Sequence, residues 1–172
     1  MSESRRVLFV CTGNICRSAY ADVVARASAQ RGVEFFSAGT HAVVGAGLNP
    51  SMAAHLRDGV LSRHTARQLS REMIEESDLV VAMDASHRRY IFEEWPDLGR
   101  KTFVIGHVAR ELARLPGDVS LSGLAPHLWQ HRSVEINDEV ADPFQRGPEA
   151  AAVAARAIDA HLSVILPSLG RL

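Results

Sequence analysis

The stretch that decides the fold is Val7-Leu8-Phe9-Val10-Cys11-Thr12-Gly13-Asn14-Ile15-Cys16-Arg17-Ser18. Val7 to Val10 is a short β-branched and aromatic run, stopped by the turn-forming Thr12-Gly13-Asn14, which predicts a buried strand. From Arg17 onward the apolar positions Tyr20, Val23, Val24 and Ala27 recur at helical spacing. That spacing predicts a helix from Arg17 to about Gly32, with Gly32 as its C-cap. A strand, a tight loop and a helix N-terminus in succession place residues 11–18 where open parallel sheets bind their ligands.

The same alternation continues along the chain. Val33 to Phe36 predicts a second strand leading into Ser37-Ala38-Gly39-Thr40. Asn49-Pro50 supplies an N-cap and a first-turn proline, opening a helix to about Asp58. Ser70 caps another short helix, and Leu79 to Met83 is an apolar run of the kind covered on both faces. A helix is expected from Ala85 to about Glu94, stopped by Trp95-Pro96. Thr102 to Ile105 is the next strand. A last helix runs from Pro148 to about Leu166, with Ile158, Leu162, Ile165, Leu166 and Leu169 as its buried stripe. Between Leu115 and Asn137 the periodicity is too weak for assignment. The expectation is one α/β domain over residues 1–172: three layers, with a central parallel four-stranded sheet, helices on both faces and an N-terminal phosphate-binding loop.

Composition narrows the function. The chain has 172 residues, 47% of them hydrophobic and 23% charged, the balance of a globular domain rather than a disordered one. Nineteen Lys plus Arg against 20 Asp plus Glu leave a formal charge of -1, so no net field draws nucleic acid or an anionic membrane. The longest uninterrupted apolar runs are far shorter than a bilayer span. Met1 to Arg6 carries charge without an apolar run of leader type. Two cysteines, Cys11 and Cys16, cannot staple a domain of this size. A cytoplasmic location is expected, with neither nucleic-acid nor membrane partners.

The loop itself carries chemistry. A cysteine at the strand end faces a helix N-terminus, whose free N–H groups and dipole favour a thiolate. The amides of Thr12, Gly13, Asn14, Ile15 and Cys16 can ring a tetrahedral dianion. Gly13 and Asn14 are the residues suited to the left-handed backbone such a ring needs. Arg17 offers a planar fork to two phosphate oxygens, and Ser18 a hydroxyl to the Cys11 sulfur.

Cys11-Thr12-Gly13-Asn14-Ile15-Cys16-Arg17-Ser18 resembles the N-terminal signature of the low-molecular-weight protein tyrosine phosphatases. Ser37-Ala38-Gly39-Thr40, Asn49-Pro50, His64-Thr65-Ala66-Arg67-Gln68, Met83-Asp84, Gly106-His107 and Ala141-Asp142-Pro143-Phe144 are similar to segments of bacterial members in the same order. The resemblance implies hydrolysis of aryl phosphate monoesters, with Cys11 as nucleophile forming a cysteinyl-phosphate and Arg17 neutralising the equatorial oxygens. It implies Asp142 as the acid that protonates the leaving phenolate and then activates water. It further implies that Ser37 and His64 hold Asn14 in its unusual backbone conformation. With Arg17 and the amides supplying charge stabilisation, neither cofactor nor metal is expected. A phosphotyrosine protein is the implied substrate, a bacterial tyrosine autokinase or an exopolysaccharide pathway its implied context.

Other residues leave alternatives open. Cys16 either packs inside the loop or resolves an oxidised Cys11 as a reversible disulfide. Ala19 stands where the family usually carries proline. Phe144, followed by Gln145, stands where many members carry tyrosines, and is expected to wall the substrate ring. Ile15 matches members acting on phosphotyrosine, whereas those resembling protein-arginine phosphatases have threonine there. Asp138 and Glu139 read as solvated charges. The segment from about 109 to 136 reads as an insertion. Within it His127 and His131 share a helix face, half of a zinc-ligand set without a third ligand nearby in sequence. An amphipathic lid or partner surface bearing Leu124, Leu128 and Trp129 is the favoured reading. Rival functions are a phosphatase of a small phosphorylated metabolite or sugar, an arsenate reductase, and a silent phosphate-binding module. The thioredoxin-coupled reductase needs cysteines downstream of Cys16, and the sequence has none.

Overall fold

The computed structural model describes residues 5–28, 30–115, 120–133 and 135–170. Residues 1–4, part of the N-terminal stretch read for a leader, lie outside the described set, as do 116–119 and 134 within the unassigned segment. The elements, in order, are β1 (Arg5–Cys11), α1 (Arg17–Ala27), β2 (Val33–Gly39), α2 (Pro50–Ala53), α3 (Arg71–Glu75) and β3 (Leu79–Ala82). Then follow α4 (Ala85–Glu94), a 3-10 turn at Gly99–Lys101, β4 (Thr102–Val104), α5 (Ile105–Arg114), α6 (Leu121–Gln130) and α7 (Gly147–Leu169).

The strands form one parallel sheet in the order β2-β1-β3-β4. Successive strand side chains point to opposite faces, so each strand feeds two cores. Val7, Phe9, Leu79 and Val81 pack with apolar residues of α1, α5, α6 and α7 on one face. Leu8, Val10 and Val80 pack with Ile74 of α3 and Ile91 of α4 on the other. The expected three-layer α/β domain is therefore the observed one. The chain leaves β1 toward β2 and later returns to β1's other side as β3, so strand order reverses beside the carboxyl end of β1. That reversal is the crevice where an open sheet takes its ligand.

Several boundaries differ from the sequence reading. α1 stops at Ala27, with Ser28 as its C-cap and the Ser28 hydroxyl donating to the Ala25 carbonyl of the last turn. Gly32 is not its cap; with φ 69 it forms the turn into β2 and accepts from the Arg5 amide. The helix opened by Asn49-Pro50 is a single turn: Asn49 Oδ1 accepts from the Ser51 amide, but the α-helix ends at Ala53 and gives way to tighter turns, in which the His55 amide donates to the Met52 carbonyl and the Leu56 amide to the Ala53 carbonyl. β4 ends one residue early, since Ile105 already begins α5. α5 itself went unread, although Ile105, Val108, Ala109 and Leu112 form a helical stripe that is buried.

α6 does not offer Leu124 and Leu128 to a lid or partner surface. Leu124 and Leu128 are fully buried in the main core, and Trp129 stacks on Phe92 of α4 with ring centroids 6.0 Å apart. By length and composition α7, 23 residues with an 18-residue window of mean hydropathy 1.3, reaches what a bilayer crossing needs. Its stripe Ala151, Ala154, Ile158, Leu162, Ile165 and Leu169 is instead buried against the core.

Candidate active site

Cys11 ends β1 and Arg17 begins α1, so both ends of the loop are fixed by secondary structure. What lies between is held from outside through its carbonyls. The Cys11, Thr12, Gly13 and Ile15 carbonyls accept from the amides of Thr40, His41, Val43 and Asn49 at 2.8–2.9 Å. The Asn14 carbonyl accepts from His64 Nε2 at 2.6 Å, and the Cys16 carbonyl from the Tyr20 amide at 2.9 Å. Six consecutive acceptors thus turn away from the loop's interior. The amides of Thr12 to Cys16 donate to no acceptor among the described residues, and α1 has no side-chain cap. A ring of free N–H groups with a helix N-terminus behind it is an anion receptor.

Asn14 is the loop residue with left-handed backbone, φ 54. Gly13, expected to share that role, has a negative φ. Gly39, opposite Cys11 in β2, matters more: a Cβ there would lie 2.3 Å from the Thr12 carbonyl oxygen. Only glycine lets β2 come this close to the loop.

A relay orients the sulfur. Asn14 Oδ1 accepts from the Arg67 amide, which fixes the side-chain amide so that Nδ2 donates to Ser18 Oγ at 2.9 Å. With that acceptor site filled, the Ser18 hydroxyl lies 2.9 Å from Cys11 Sγ and donates to it, the Ala38 carbonyl being farther at 3.5 Å. Ser37 does not touch Asn14 as expected; its hydroxyl donates to the buried Asp22 carboxylate at 2.8 Å. Asp22 Oδ2 in turn stands 3.9 Å from His64 Nδ1, so Ser37 acts on Asn14 at two removes. His64 is held below the usual histidine pKa, chiefly by burial, while its bond to Asn14 and the Asp22 charge pull upward.

Arg17 is 3% exposed. Its Nη1 donates to Asp84 Oδ2 at 2.8 Å and to the Val140 carbonyl at 3.0 Å, while Nη2 faces Asp142 Oδ2 at 3.5 Å. Nε is buried and meets no partner among the described residues. Asp84, which follows β3 at the same sheet edge, also caps α4 through the Ser86 and His87 amides. Burial pushes its carboxyl upward, but bonds from Ser86 and Arg17 and the neighbouring charges win, holding it below the usual value. His87 Nδ1 accepts from the Asp84 amide, so Nε2 carries the proton and donates to Thr12 Oγ1 at 2.9 Å. Burial lowers its pKa to about 4, which keeps that neutral tautomer.

The segment carrying Asp142 is anchored before it reaches the site. Val140 N donates to the Met83 carbonyl and Gly106 N to the Asp138 carbonyl, both at 2.9 Å. A Cβ on Gly106 would meet Asp138 Cα at 2.3 Å. Asp138 is not a solvated charge: it is buried and paired with Arg110. Glu139, though exposed, accepts from the Ala85 amide at the start of α4. Beyond Asp142, Gln145 has φ 56. The two non-glycine residues with left-handed backbone among those described therefore sit on the two loops that meet at Arg17.

Cys11, Thr12, Gly13, Ile15, Cys16, Arg17, Asp142 and Phe144 line one cavity of about 180 Å³, completed by His41 and Val43. None of the described residues of 109–136 lines it. Cys11 is buried, and Cys16 is buried beside it with its thiol pushed up to about 12, first by burial and then by Cys11 and Asp142. Sequence reasoning missed Asp84, His87, Asp22, His41 and Val43 as site residues. The signal for Asp84 was its place two residues past the end of β3, at the sheet edge that also carries Cys11; His41 and Val43 carried none.

The model of the family described as low molecular weight phosphotyrosine protein phosphatase matches residues 6–120. Over 104 residues the chain is 36% identical to the low molecular weight protein-tyrosine-phosphatase Wzb of Escherichia coli, covering 59% of this chain and 69% of that protein. It is 37% identical over 101 residues to a protein-arginine-phosphatase of Geobacillus stearothermophilus, covering 58% and 68%. The crystal structure of Wzb from Escherichia coli with phosphate superposes with a TM-score of 0.72 at 22% identity, covering 97% of this chain and 93% of that one. With two thirds of its length matched and the same fold, the chain belongs to the low molecular weight phosphotyrosine protein phosphatase family.

Proposed function

We propose that the protein hydrolyses phosphotyrosine in proteins through a cysteinyl-phosphate. The observation that carries this reading is the loop whose six carbonyls are all engaged from outside, leaving its amides and a buried Arg17 beside the Cys11 sulfur. Phosphate oxygens take the amide hydrogens together with Arg17 Nη2 and Nε. The Cys11 thiolate then attacks phosphorus, an S–P bond forms, and the bond to the tyrosyl oxygen breaks. Asp142, freed from Arg17 Nη2 by the incoming oxygens, gives its proton to that oxygen. In the second step Asp142 takes a proton from water, the water oxygen attacks phosphorus, and the thiolate leaves with inorganic phosphate as product. The Ser18 hydroxyl stabilises the sulfur's charge in both steps. Phe144, 45% exposed, and Ile15 give the ring an apolar wall.

An apolar Ile15 in the cavity supports an aromatic ester over a guanidinium phosphate. The partner proposed is a phosphotyrosine protein, with a bacterial tyrosine autokinase as the candidate, and the compartment proposed is the cytoplasm, which suits two unpaired cysteines. The test is hydrolysis of p-nitrophenyl phosphate with chelator present, followed by competition among phosphotyrosine, phosphoserine and phosphoarginine peptides. Cys11→Ser is expected to lose turnover yet still bind phosphate. Asp142→Ala is expected to slow esters with poor leaving groups far more than those with good ones. An active Cys11→Ser, or preference for phosphoarginine, overturns the reading.

A further inference from the structure

We propose that Glu111, His127 and His131 form a binding site for a divalent transition metal of the zinc class, away from the catalytic cleft. The sequence showed only the two histidines, and the fold supplies the third ligand from the neighbouring helix. One ligand atom from each residue lies within 4.8 Å of the other two, with Glu111 buried, His127 half-buried and His131 exposed. His127 Nε2 stands 3.8 Å from Glu111 Oε2. Tetrahedral bonds of zinc length put ligand atoms about 3.3 Å apart, a closure within the reach of an exposed side chain at a helix end.

Two features go beyond proximity. The His131 Nδ1–H donates to the His127 carbonyl at 2.9 Å, so Nε2 is the nitrogen carrying a lone pair. Metal-binding histidines are commonly fixed in tautomer by such a bond on the other ring nitrogen. Glu111 Oε1 faces Arg114 Nη1 at 3.4 Å, leaving Oε2 toward His127. His107 Nε2–H also donates to the His131 carbonyl at 3.0 Å, tying the end of α6 to α5 at the site. The nearby Arg110 charge is already met by Glu135 and Asp138. Three N/O ligands leave a fourth position for water, and a bound metal cross-links α6 to α5.

Cobalt(II) titration of the full chain tests this, because its spectrum separates N/O ligands from a cysteine site. The expected result is saturable binding of one equivalent, with d–d bands of low coordination and no thiolate charge-transfer band. His131→Ala and Glu111→Gln are each expected to weaken binding at least about tenfold, while metal-free hydrolysis of p-nitrophenyl phosphate stays unchanged. Zinc at a hundredfold excess over its Kd is expected to raise the wild-type Tm by roughly 5–10 °C and that of His131→Ala by much less. A thiolate band, or equal affinity in wild type and both variants, overturns the proposal.

Discussion

Arg17 and Asp84 are joined by a 2.8 Å ion pair that links the loop after β1 to the N-terminus of α4. One carboxylate thus does two tasks: it holds the guanidinium in the cleft and it caps a helix. Asp84→Ala leaves the buried Arg17 charge without its main partner and removes the cap. The expected outcome is a fall in kcat/KM for p-nitrophenyl phosphate on the order of 100-fold, from misplacement of the fork. A loss of about 1 kcal/mol of stability from the cap accompanies it. Unchanged kcat/KM in a folded variant shows that Arg17 is positioned without Asp84.

Gly39 is expected to tolerate no side chain. Gly39→Ala drives a methyl group into the Thr12 carbonyl, displacing the loop rather than merely crowding the core. Activity should fall on the order of 100-fold and stability by about 1–3 kcal/mol. Comparing vanadate affinity with urea midpoint separates the two effects.

Acid sensitivity should trace to buried histidines. In the unfolded chain His87 takes a proton below its ordinary pKa of 6.5, whereas in the fold burial delays this to about 4. Between those values the unfolded state binds more protons, so stability falls as pH drops from 6.5 toward 4. His64, His107 and His161 are shifted in the same direction, again mainly by burial. Urea midpoints across this window should give His87→Gln a slope shallower than wild type by up to about one proton. Equal slopes exclude His87 as a source.

Cys16 is held as a thiol, with its pKa pushed to about 12. Attack on an oxidised Cys11 therefore proceeds through a rarely populated thiolate and should be slow. Cys16→Ala should keep basal activity within a few-fold and regain less activity than wild type when reductant follows peroxide. Equal recovery in both removes any protective role.

The core of the fold could be read from local pattern because strands Val7–Val10 and Leu79–Met83 are buried on both faces and their apolar runs say so. The candidate loop stood out for a different reason: Cys11, Asn14, Arg17 and Ser18 fall within eight consecutive residues, so their grouping is local. What the sequence hid depends on pairing between distant segments. Nothing around Ser37 signals that it meets Asp22 instead of Asn14, nor does anything around Asp138 signal its burial against Arg110. α6 was hidden because Pro126 interrupts its pattern and because Leu124 and Leu128 look equally suited to a lid or a core. Glu111 escaped notice as a partner of His127 because only the packing of α5 beside α6 brings them together.

The buried Nε of Arg17, which has no acceptor among the described residues, has a consequence for how the protein meets its ligands. A buried donor gains a hydrogen bond from whichever tetrahedral oxyanion reaches it, whether ester, vanadate or phosphate. On the proposed chemistry substrate and product then draw on one source of affinity, so added phosphate is expected both to slow turnover and to raise the Tm.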